Sequence, residues 1–206
     1  SIKKQSILNQ SLIEVIYVDD GSRDQSADLF KNFKLPYVKH LISHRTNKGR
    51  SNARNSGLYA ARGLWCYFIN SNIILKDNTL SHYLNSTKKT KYLGLSGTIE
   101  YISIDKKFER YLNNRKRGLH RYYHNQIILP RHFLFSNACV RKDVLISVGG
   151  FNDILYGYGG SEFELAVRIN EYQNNSLGFV NDCSIIRNNH PSLSNHIIRI
   201  ESFGKN

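Results

Sequence analysis

Long apolar segments and paired cysteines are both absent from this chain. The longest apolar runs fall far short of the roughly 20 residues that a membrane-spanning helix needs, and the N-terminus lacks the apolar core of a signal peptide. We therefore expect a soluble protein that faces the cytosol. The cysteines form no CxxC pair and lie in strand-like apolar contexts, which predicts buried free thiols without a metal or redox role at Cys66, Cys139 and Cys183.

Acidic residues are scarce relative to basic ones. The 16 Asp and Glu residues stand against 29 Lys and Arg residues, so the formal net charge is +13. This excess favours an anionic partner: a nucleotide diphosphate, acidic lipid headgroups, an acidic glycan or nucleic acid. The 13 Tyr and 10 Phe residues would suit a nucleic-acid-binding module, but no recognised helix-turn-helix, zinc-finger or RNP motif accompanies them. Nucleic-acid binding is therefore a minor alternative.

An apolar strand predicted at residues 13–18 leads directly into the carboxylates of Asp19 and Asp20 and then into Gly21 and Ser22. Open α/β sheets present ligand-binding groups in this way, at the carboxyl ends of their strands. In the alternative interpretation these residues only form a turn, and Asp24 caps a helix at residues 25–33.

The segment NKGRSNARNSGLYAARGLWCYFINSN repeats this pattern. Its small residues predict a helix at 51–62, ended by Gly63, and its apolar run predicts a buried parallel strand at 64–69 that ends in Asn70, Ser71 and Asn72. Alternating strands and helices predict an α/β fold with a doubly wound, Rossmann-related open sheet, mostly parallel and flanked by helices. Later elements are predicted as helices at 77–88, 142–148 and 163–172, and as strands at 93–102, 133–140 and 177–186.

These motifs, in this order, resemble those of family 2 glycosyltransferases with the GT-A fold. The resemblance covers roughly residues 1–191 and rests on VDDGSRD, NKGRSNARNSGLYAARG with the strand after it, VGGFND, and GYGGSEFELAVRI. It implies a GT-A-like fold and inverting transfer of a sugar from a nucleotide diphosphate, usually a UDP-sugar, to an acceptor hydroxyl. No linker divides the chain, so we expect one domain at 1–206, with a nucleotide-binding half at 1–100 and an acceptor-binding half at 101–206.

The resemblance also implies a set of nucleotide-binding residues. Asp19 and Asp20 occupy the places of the family carboxylates that bind the nucleoside, and Gly49 matches a glycine that lets the backbone approach the nucleotide. Arg54 matches a family arginine near the nucleotide. The full expected nucleotide-binding set is Asp19, Asp20, Ser22, Gly49, Arg54, Asn70 and Ser71.

The family metal motif, Asp-x-Asp, is replaced here by Asn70-Ser71-Asn72. Mg²⁺ and Mn²⁺ favour anionic oxygen, and amide carbonyls bring no charge, so the replacement removes two negative charges from the expected site. The remaining candidate metal ligands are Asn72 and His190, the latter matching a late family histidine, although a lone His near a turn is more often a surface residue. We expect Mn²⁺ or Mg²⁺ to bind only together with the nucleotide diphosphate.

The family's catalytic Glu-Asp pair reads Ser161-Glu162 in this chain. Glu162 keeps a carboxylate, one methylene longer, and is our candidate for the general base that takes the proton of the acceptor hydroxyl. The preceding glycine-rich loop supplies the candidate acceptor-binding residues Tyr158, Gly159 and Gly160. Alternatively, Ser161 and Glu164 have the spacing of a capping box, which would explain these two residues without catalysis.

The densest positive segment lies between Lys106 and Arg121. Such a run is usually a solvated helix face, but basic side chains here, and Lys48 and Arg50 nearer the nucleotide, could also neutralise the leaving diphosphate. A third interpretation is a docking element for a membrane surface, with apolar contacts from Phe108, Tyr111, Leu112 and Leu119.

Residues 1–10 resemble the helix that follows the family's first strand, so that strand is missing, and methionine is absent altogether. Both features are consistent with an incomplete chain. We expect a bacterial glycosyltransferase of polysaccharide or cell-envelope biosynthesis, cytoplasmic and peripheral at the inner face of the plasma membrane, acting on a glycan or lipid-linked acceptor. The alternative is a non-catalytic or regulatory relative that keeps the nucleotide-binding fold without the metal motif.

Overall fold

A computed structural model describes residues 1–5, 7, 12–155 and 160–203. Within these ranges the chain forms seven α-helices and seven strands, and the strands form two sheets. The predicted α/β class is confirmed. Of the helix predicted at the start of the chain, Ile2–Lys4 form a short 3₁₀ turn, while residues 6 and 8–11 lie outside the described part.

The first sheet is a βαβ unit. Strands β1 (Glu14–Asp19) and β2 (Val38–Ser43) pair in parallel, and helix α1 (Ser26–Asn32) connects them. The register places Asp19 opposite Ser43, so the residues that follow each strand emerge side by side at one edge. This unit matches the sequence prediction, including the carboxylates at the strand end.

The second sheet has five strands in the order β3-β6-β5-β7-β4. In chain order they are β3 (Trp65–Ile69), β4 (Ile73–Leu75), β5 (Gly94–Ser103), β6 (Asn137–Arg141) and β7 (Leu177–His190). Strands β5 and β7 are parallel, whereas the β3–β6, β5–β6 and β4–β7 pairs are antiparallel. Strands β3, β5 and β7 therefore point the same way, and their carboxyl ends share one edge of the sheet.

The predicted mostly parallel pairing is wrong for this second sheet. Strand β3, which we expected to be a buried parallel strand, pairs antiparallel with β6, and Cys66 is its one buried residue. An apolar run predicts that a strand is buried, but it does not predict the strand's direction. The direction depends on the strand with which it pairs, and that partner is distant in the sequence.

The described residues form six further helices, and the four predicted at 51–62, 77–88, 142–148 and 163–172 are among them, with shifts at their ends. They are α2 (Arg50–Ala60), α3 (Thr79–Lys89), α4 (Lys106–Leu112), α5 (Lys142–Ser147), α6 (Ser161–Tyr172) and α7 (Leu193–Phe203). The strand predicted from residue 133 begins only at Asn137, because a 3₁₀ turn at Pro130–His132 and the loop after it precede β6. Helix α7 was not predicted. None of the helices in the described ranges is long and apolar enough to cross a membrane.

The core lies between the five-stranded sheet and the helices beside it. Leu165 and Ile169, one turn apart on α6, are fully buried against the aromatic rings of Phe133, Phe135 and Phe151. Burial of side chains of this size stabilises the fold by about 1.5–3 kcal/mol each. Leu165 and Ile169 lie three and seven positions after Glu162, on the same side of the helix, so the helix that carries Glu162 is fixed to the core close to that residue.

The three cysteines are buried and free, as predicted. Burial raises the pKa of the Cys66 thiol to about 11, and burial also raises the pKa values of Cys139 and Cys183. Thiols with raised pKa values are inert at neutral pH, because the reactive form is the thiolate.

Candidate active site

Asp19 ends β1 and is buried. Its backbone oxygen accepts from the amide of His44 at 2.8 Å, and its Oδ1 accepts from the amide of Ser22 at 3.2 Å. The carboxylate therefore stabilises the turn after the strand, as the simple turn interpretation anticipated.

Asp20 joins this turn to the loop before α2. Its Oδ2 accepts from the amide of Gly49 at 2.9 Å, and its Oδ1 accepts from the amide of Lys48 at 2.9 Å. Oδ1 also lies 2.7 Å from Nδ1 of His44, whose Nε2 lies 2.9 Å from Oγ of Ser56. Burial tends to raise the pKa of Asp20, but the hydrogen bonds from His44, Lys48 and Gly49 outweigh it and lower the pKa.

The two loops at this edge are in close contact. A Cβ on Gly21 would lie 2.8 Å from the backbone nitrogen of Asn47, and Gly21 has φ of 76°. Gly49, with φ of 89°, leads directly into α2. Gly21 is therefore required both for space and for its backbone conformation, and Gly49 is required for its backbone conformation.

A small pocket lies where the N-termini of α2 and α6 approach each other. Its lining comes from both helix starts and from the loop before α6: Lys48, Gly49, Arg50, Ser51, Asp153, Leu155 and Ser161. Helix N-termini present unpaired N–H groups and partial positive charge, which suit an anion such as phosphate. Basic side chains at the same place add to this positive potential.

Arg54 of α2 connects three elements of the site. Its Nη2 donates to Oε1 of Glu162 at 2.7 Å and to Oδ1 of Asn70 at 3.3 Å, and its guanidinium lies 5.2 Å from the centre of the Phe151 ring. The side chain is only 13% exposed. Arg54 therefore brings the end of β3 and the start of α6 together.

Glu162 lies near the start of α6 with 24% of its side chain exposed. Its second oxygen, Oε2, accepts from the amide of Phe135 at 3.2 Å. Burial tends to raise the pKa of Glu162, but the charge and hydrogen bond of Arg54, the charge of Arg50 and the Phe135 amide outweigh it and lower the pKa. The carboxylate is therefore ionised at neutral pH and can accept a proton.

The capping box predicted at Ser161 and Glu164 is wrong. The residue that caps α6 is Gly160, with φ of 84°, and no side chain caps the helix. Glu164 instead binds Arg168 one turn later, at 2.6 Å and 2.7 Å, and Arg168 also donates to the backbone oxygens of Val148 and Gly150. The helix begins at Ser161 rather than at the predicted residue 163, so Ser161 is helical and cannot serve as the N-cap.

Of the candidate acceptor-binding residues, Tyr158 and Gly159 lie outside the described residues. Gly160 directly precedes α6, two positions before Glu162.

Asn70, Ser71 and Asn72 form the short connection between β3 and β4, with Ser71 and Asn72 exposed. The amide oxygen of Asn70 already accepts from Arg54. In the described part of the chain no three His, Cys, Asp or Glu residues cluster in a way that could hold a metal ion. Neutral oxygens beside a guanidinium do not fit a divalent cation on their own.

His190 ends β7 at the same edge of the sheet, but its ring is buried rather than at the surface. The ring packs against Tyr101, Phe108 and His196 at centroid distances of 5.1–5.6 Å, and Nδ1 lies 3.1 Å from the backbone oxygen of Pro191. Burial lowers the pKa of His190 to about 4, so the ring is neutral at pH 7.

Sequence reasoning missed His44, Phe135 and Phe151 as parts of this site. His44 had a detectable signal, because parallel pairing of the first two strands places the residue after β2 beside those after β1. The contacts of Phe135 and Phe151 depend on tertiary packing and had no such signal.

Together, the two sheets and this edge define a GT-A-type glycosyltransferase domain. The chain belongs to glycosyl transferase family 2, whose family model matches residues 1–149. The family predicted from the sequence motifs is thereby confirmed.

Curated relatives match parts of the chain. An uncharacterized glycosyltransferase of Haemophilus influenzae is 40% identical over 104 residues, which are 48% of this chain and 41% of the relative. The minor teichoic acid biosynthesis protein GgaA of Bacillus subtilis is 31% identical over 119 residues, which are 54% of this chain and 27% of the relative. The aligned parts thus cover less than half of each of these relatives.

Solved structures share the fold at low sequence identity. S. aureus TarS 1–349 in complex with UDP superposes with a TM-score of 0.67 at 15% identity, over 97% of this chain and 57% of that one. GalNAc-T7 with UDP, GalNAc and Mn²⁺ superposes with a TM-score of 0.65 at 16% identity, over 92% of this chain and 42% of that one.

Proposed function

We propose that this chain is an inverting glycosyltransferase domain that transfers a sugar from a UDP-sugar to a hydroxyl of a glycan or lipid-linked acceptor. The observation that carries the proposal is the convergence, through Arg54, of the polar end of β3 and the ionised Glu162. The junction lies beside the α2 start that Asp20 anchors.

On the nucleotide side, we assign the nucleoside to the edge formed by Asp19, Asp20 and Ser22. Asp20 acts mainly by shaping the loop, because both of its oxygens already accept hydrogen bonds from the protein. We assign the diphosphate to the N-terminal ends of α2 and α6, near Gly49, Arg54 and the polar residues Asn70 and Ser71, because unpaired helix N–H groups there favour an anion. We accordingly assign residues 1–100 to the nucleotide-binding half, and residues 101–206, which include Glu162, to the acceptor-binding half.

Residues 70–72 do not fit a divalent cation on their own, so the proposed reaction is assigned to the chain's own residues. The oxygens of residues 70–72 carry no charge. The negative charge of the departing diphosphate is therefore balanced by the helix N-termini and by basic side chains, among them Lys48 and Arg54. If Mn²⁺ or Mg²⁺ were bound together with the nucleotide diphosphate, Asn72 and His190 would be the candidate protein ligands, and the ion would add positive charge beside the leaving group.

In the transfer, the acceptor oxygen forms a bond to the anomeric carbon while the bond from that carbon to the diphosphate oxygen breaks. The electron pair of the broken bond leaves with UDP, and the hydroxyl proton passes to a carboxylate oxygen of Glu162. Attack opposite the leaving group inverts the anomeric configuration. Arg54 holds the Glu162 carboxylate in one orientation before the acceptor arrives.

The similar proteins support the proposed donor and acceptor classes. TarS is solved with UDP and with UDP-GlcNAc, and GalNAc-T7 with UDP. Relatives include teichoic acid biosynthesis proteins of Bacillus subtilis and a poly-beta-1,6-N-acetyl-D-glucosamine synthase of Staphylococcus epidermidis. We assign this chain to bacterial cell-envelope polysaccharide biosynthesis.

The decisive experiment is calorimetric titration of the protein with UDP and UDP-GlcNAc, with and without Mn²⁺, combined with an assay of UDP release. The proposal requires both nucleotide binding and turnover with an acceptor. No binding of either nucleotide would overturn it.

A second candidate function is favoured by the neutral residues 70–72, which remove the charges of the family metal motif. In this case the domain binds UDP-sugars in a non-catalytic or regulatory role. Nucleotide binding without turnover, unchanged after Asn70→Asp and Asn72→Asp substitution, would establish this alternative.

A further inference from the structure

Helices α4 and α7 form a continuous surface at the carboxyl edge of the five-stranded sheet, here called the α4–α7 surface. Helix α4 follows β5, α7 follows β7, and these strands point the same way as β3. Phe108 of α4 packs against His196 of α7, with ring centroids 5.2 Å apart. The surface therefore lies at the same edge of the sheet as Asn70 and the candidate active site.

The inward face of α4 and the 3₁₀ turn at Gly118–Arg121 are buried in the protein. Phe108, Leu112 and Leu119 are buried, at most 5% exposed, so the apolar residues that the sequence suggested for membrane contact belong instead to the protein interior, apart from Tyr111. The docking element predicted from the sequence is wrong in this respect.

Other apolar side chains are exposed on this surface. Ile104, immediately before α4, is 90% exposed, and Tyr111 of α4 is 55% exposed. Helix α7 adds Leu193, Ile197, Ile198 and Ile200, which are 46–62% exposed. Large aliphatic side chains concentrated in this way on one short helix contribute nothing to binding a soluble anion.

The charges around these side chains are predominantly positive. Residues 104–121 contain seven basic and two acidic residues, and the exposed cations are Lys106, Lys107, Arg110, Arg115, Lys116 and Arg121. Both acidic residues are engaged: Asp105 accepts from the amides of Lys107 and Phe108, and Glu109 accepts from the Ser103 amide and Lys106. The surface therefore presents a positive rim beside exposed isoleucines.

We propose that the α4–α7 surface docks on an anionic lipid membrane, with α7 and Ile104 in the headgroup region and the α4 cations against lipid phosphates. Amphipathic helices with basic rims bind anionic interfaces in this way, through apolar burial together with electrostatic attraction. Docking would hold the candidate active site against the membrane, where a lipid-linked acceptor lies. Binding itself does not require the proposed transferase activity.

The test is co-sedimentation of the protein with vesicles of phosphatidylcholine alone or mixed with phosphatidylglycerol, at low and high salt. We expect binding to the anionic vesicles only, weakened by salt. Each cation near the surface contributes about fivefold, so Lys107→Glu/Arg110→Glu should weaken binding by at least about 25-fold. The matched control is Lys31→Glu/Lys34→Glu on and just after α1, which changes the net charge equally and should have a much smaller effect.

The apolar contribution is tested by Ile198→Ser, which should weaken vesicle binding by about threefold or more. Its control is Leu29→Ser on α1, a similarly exposed residue that should have no effect. Circular dichroism verifies that each variant is folded. Equal losses in variants and controls, or absence of vesicle binding by the wild type, would overturn the proposal. If the protein self-associates without lipid and Ile198→Ser abolishes this association, α7 contacts a second copy of the chain and the membrane proposal is overturned.

Discussion

Arg54 donates to Glu162 at 2.7 Å although the two residues are 108 positions apart in the sequence. The contact joins α2 of the proposed nucleotide-binding half to α6 of the acceptor-binding half. The same guanidinium contacts Asn70, so an anion that binds near Arg54 competes with Glu162 for its charge. If the donor binds as proposed, its binding and the basicity of Glu162 would be coupled through this one side chain.

The pH dependence of transfer should reveal this coupling. Arg54 contributes to the lowered pKa of Glu162, so Arg54→Gln should raise that pKa and move the acidic limb of kcat/KM to higher pH. Arg54→Lys, which keeps the charge, should move the limb less. Arg62→Gln, at an exposed residue just after α2, is the control. An unshifted acidic limb in Arg54→Gln would show that Arg54 does not set the pKa of the base.

Loss of the proposed base should affect chemistry rather than nucleotide binding. Glu162→Gln keeps the size of the side chain and removes its basicity, so transfer should fall by ~10²-fold or more with nearly unchanged UDP affinity. Steady-state kinetics and calorimetry measure the two quantities.

The matched control for that experiment is Glu164→Gln, two residues later on α6. It should leave transfer intact and cost about 0.5–1 kcal/mol of stability through the weakened pair with Arg168. Transfer at a near wild-type rate in Glu162→Gln would place the base elsewhere.

The carboxylates after β1 should be required for nucleotide affinity. Asp20→Asn removes an acceptor for the Lys48 and Gly49 amides, and Asp19→Asn weakens the turn to Ser22. Each substitution should weaken UDP binding by about 1–3 kcal/mol in calorimetry. Asp24→Asn, in the same loop, is the control. If both variants bind UDP like the wild type, the nucleotide site lies elsewhere.

Metal affinity in the absence of nucleotide should be weak. Residues 70–72 offer neutral oxygens only, so we expect little Mn²⁺ binding by isothermal titration until UDP is added. Asn70→Asp/Asn72→Asp should strengthen Mn²⁺-dependent UDP binding, whereas Asn32→Asp/Asn114→Asp, which adds two charges elsewhere, should not. Tight Mn²⁺ binding to the nucleotide-free wild type would contradict the prediction.

Stability should fall on acidification because of His190. Burial first, and then the charges of Arg187, His196 and Arg199, lower its pKa from 6.5 to about 4. Between these values the unfolded chain binds more protons, so the free energy of unfolding is greatest above pH 6.5 and decreases by up to about 3 kcal/mol as the pH falls to 4. Denaturant unfolding of His190→Phe should show a smaller decrease, and an equal decrease would assign the effect to other groups.

The sequence was sufficient to predict the elements that carry the site. Strand β1 ends where the apolar run meets Asp19, and α2 begins after Gly49, because local composition and turn chemistry determine these boundaries. The carboxylate at Glu162 and the neutral residues 70–72 were likewise visible in the sequence.

Other features depend on distant partners and were not predictable locally. The direction of β3 is set by pairing with β6, some 70 residues later, and Glu164 binds Arg168 rather than capping α6. The exposure of Ile104 and the burial of Phe108, only four residues apart, likewise depend on what α7 covers.

The carboxylate of Asp20 has a further consequence for how ligands are received. Because its oxygens accept hydrogen bonds from the Lys48 and Gly49 amides of the chain itself, the loop before α2 loses conformational freedom during folding. The loop is then already ordered when a nucleotide binds, so the binding free energy does not include the entropy cost of ordering it. Association at this edge should accordingly be fast and accompanied by little rearrangement of the backbone around Gly49.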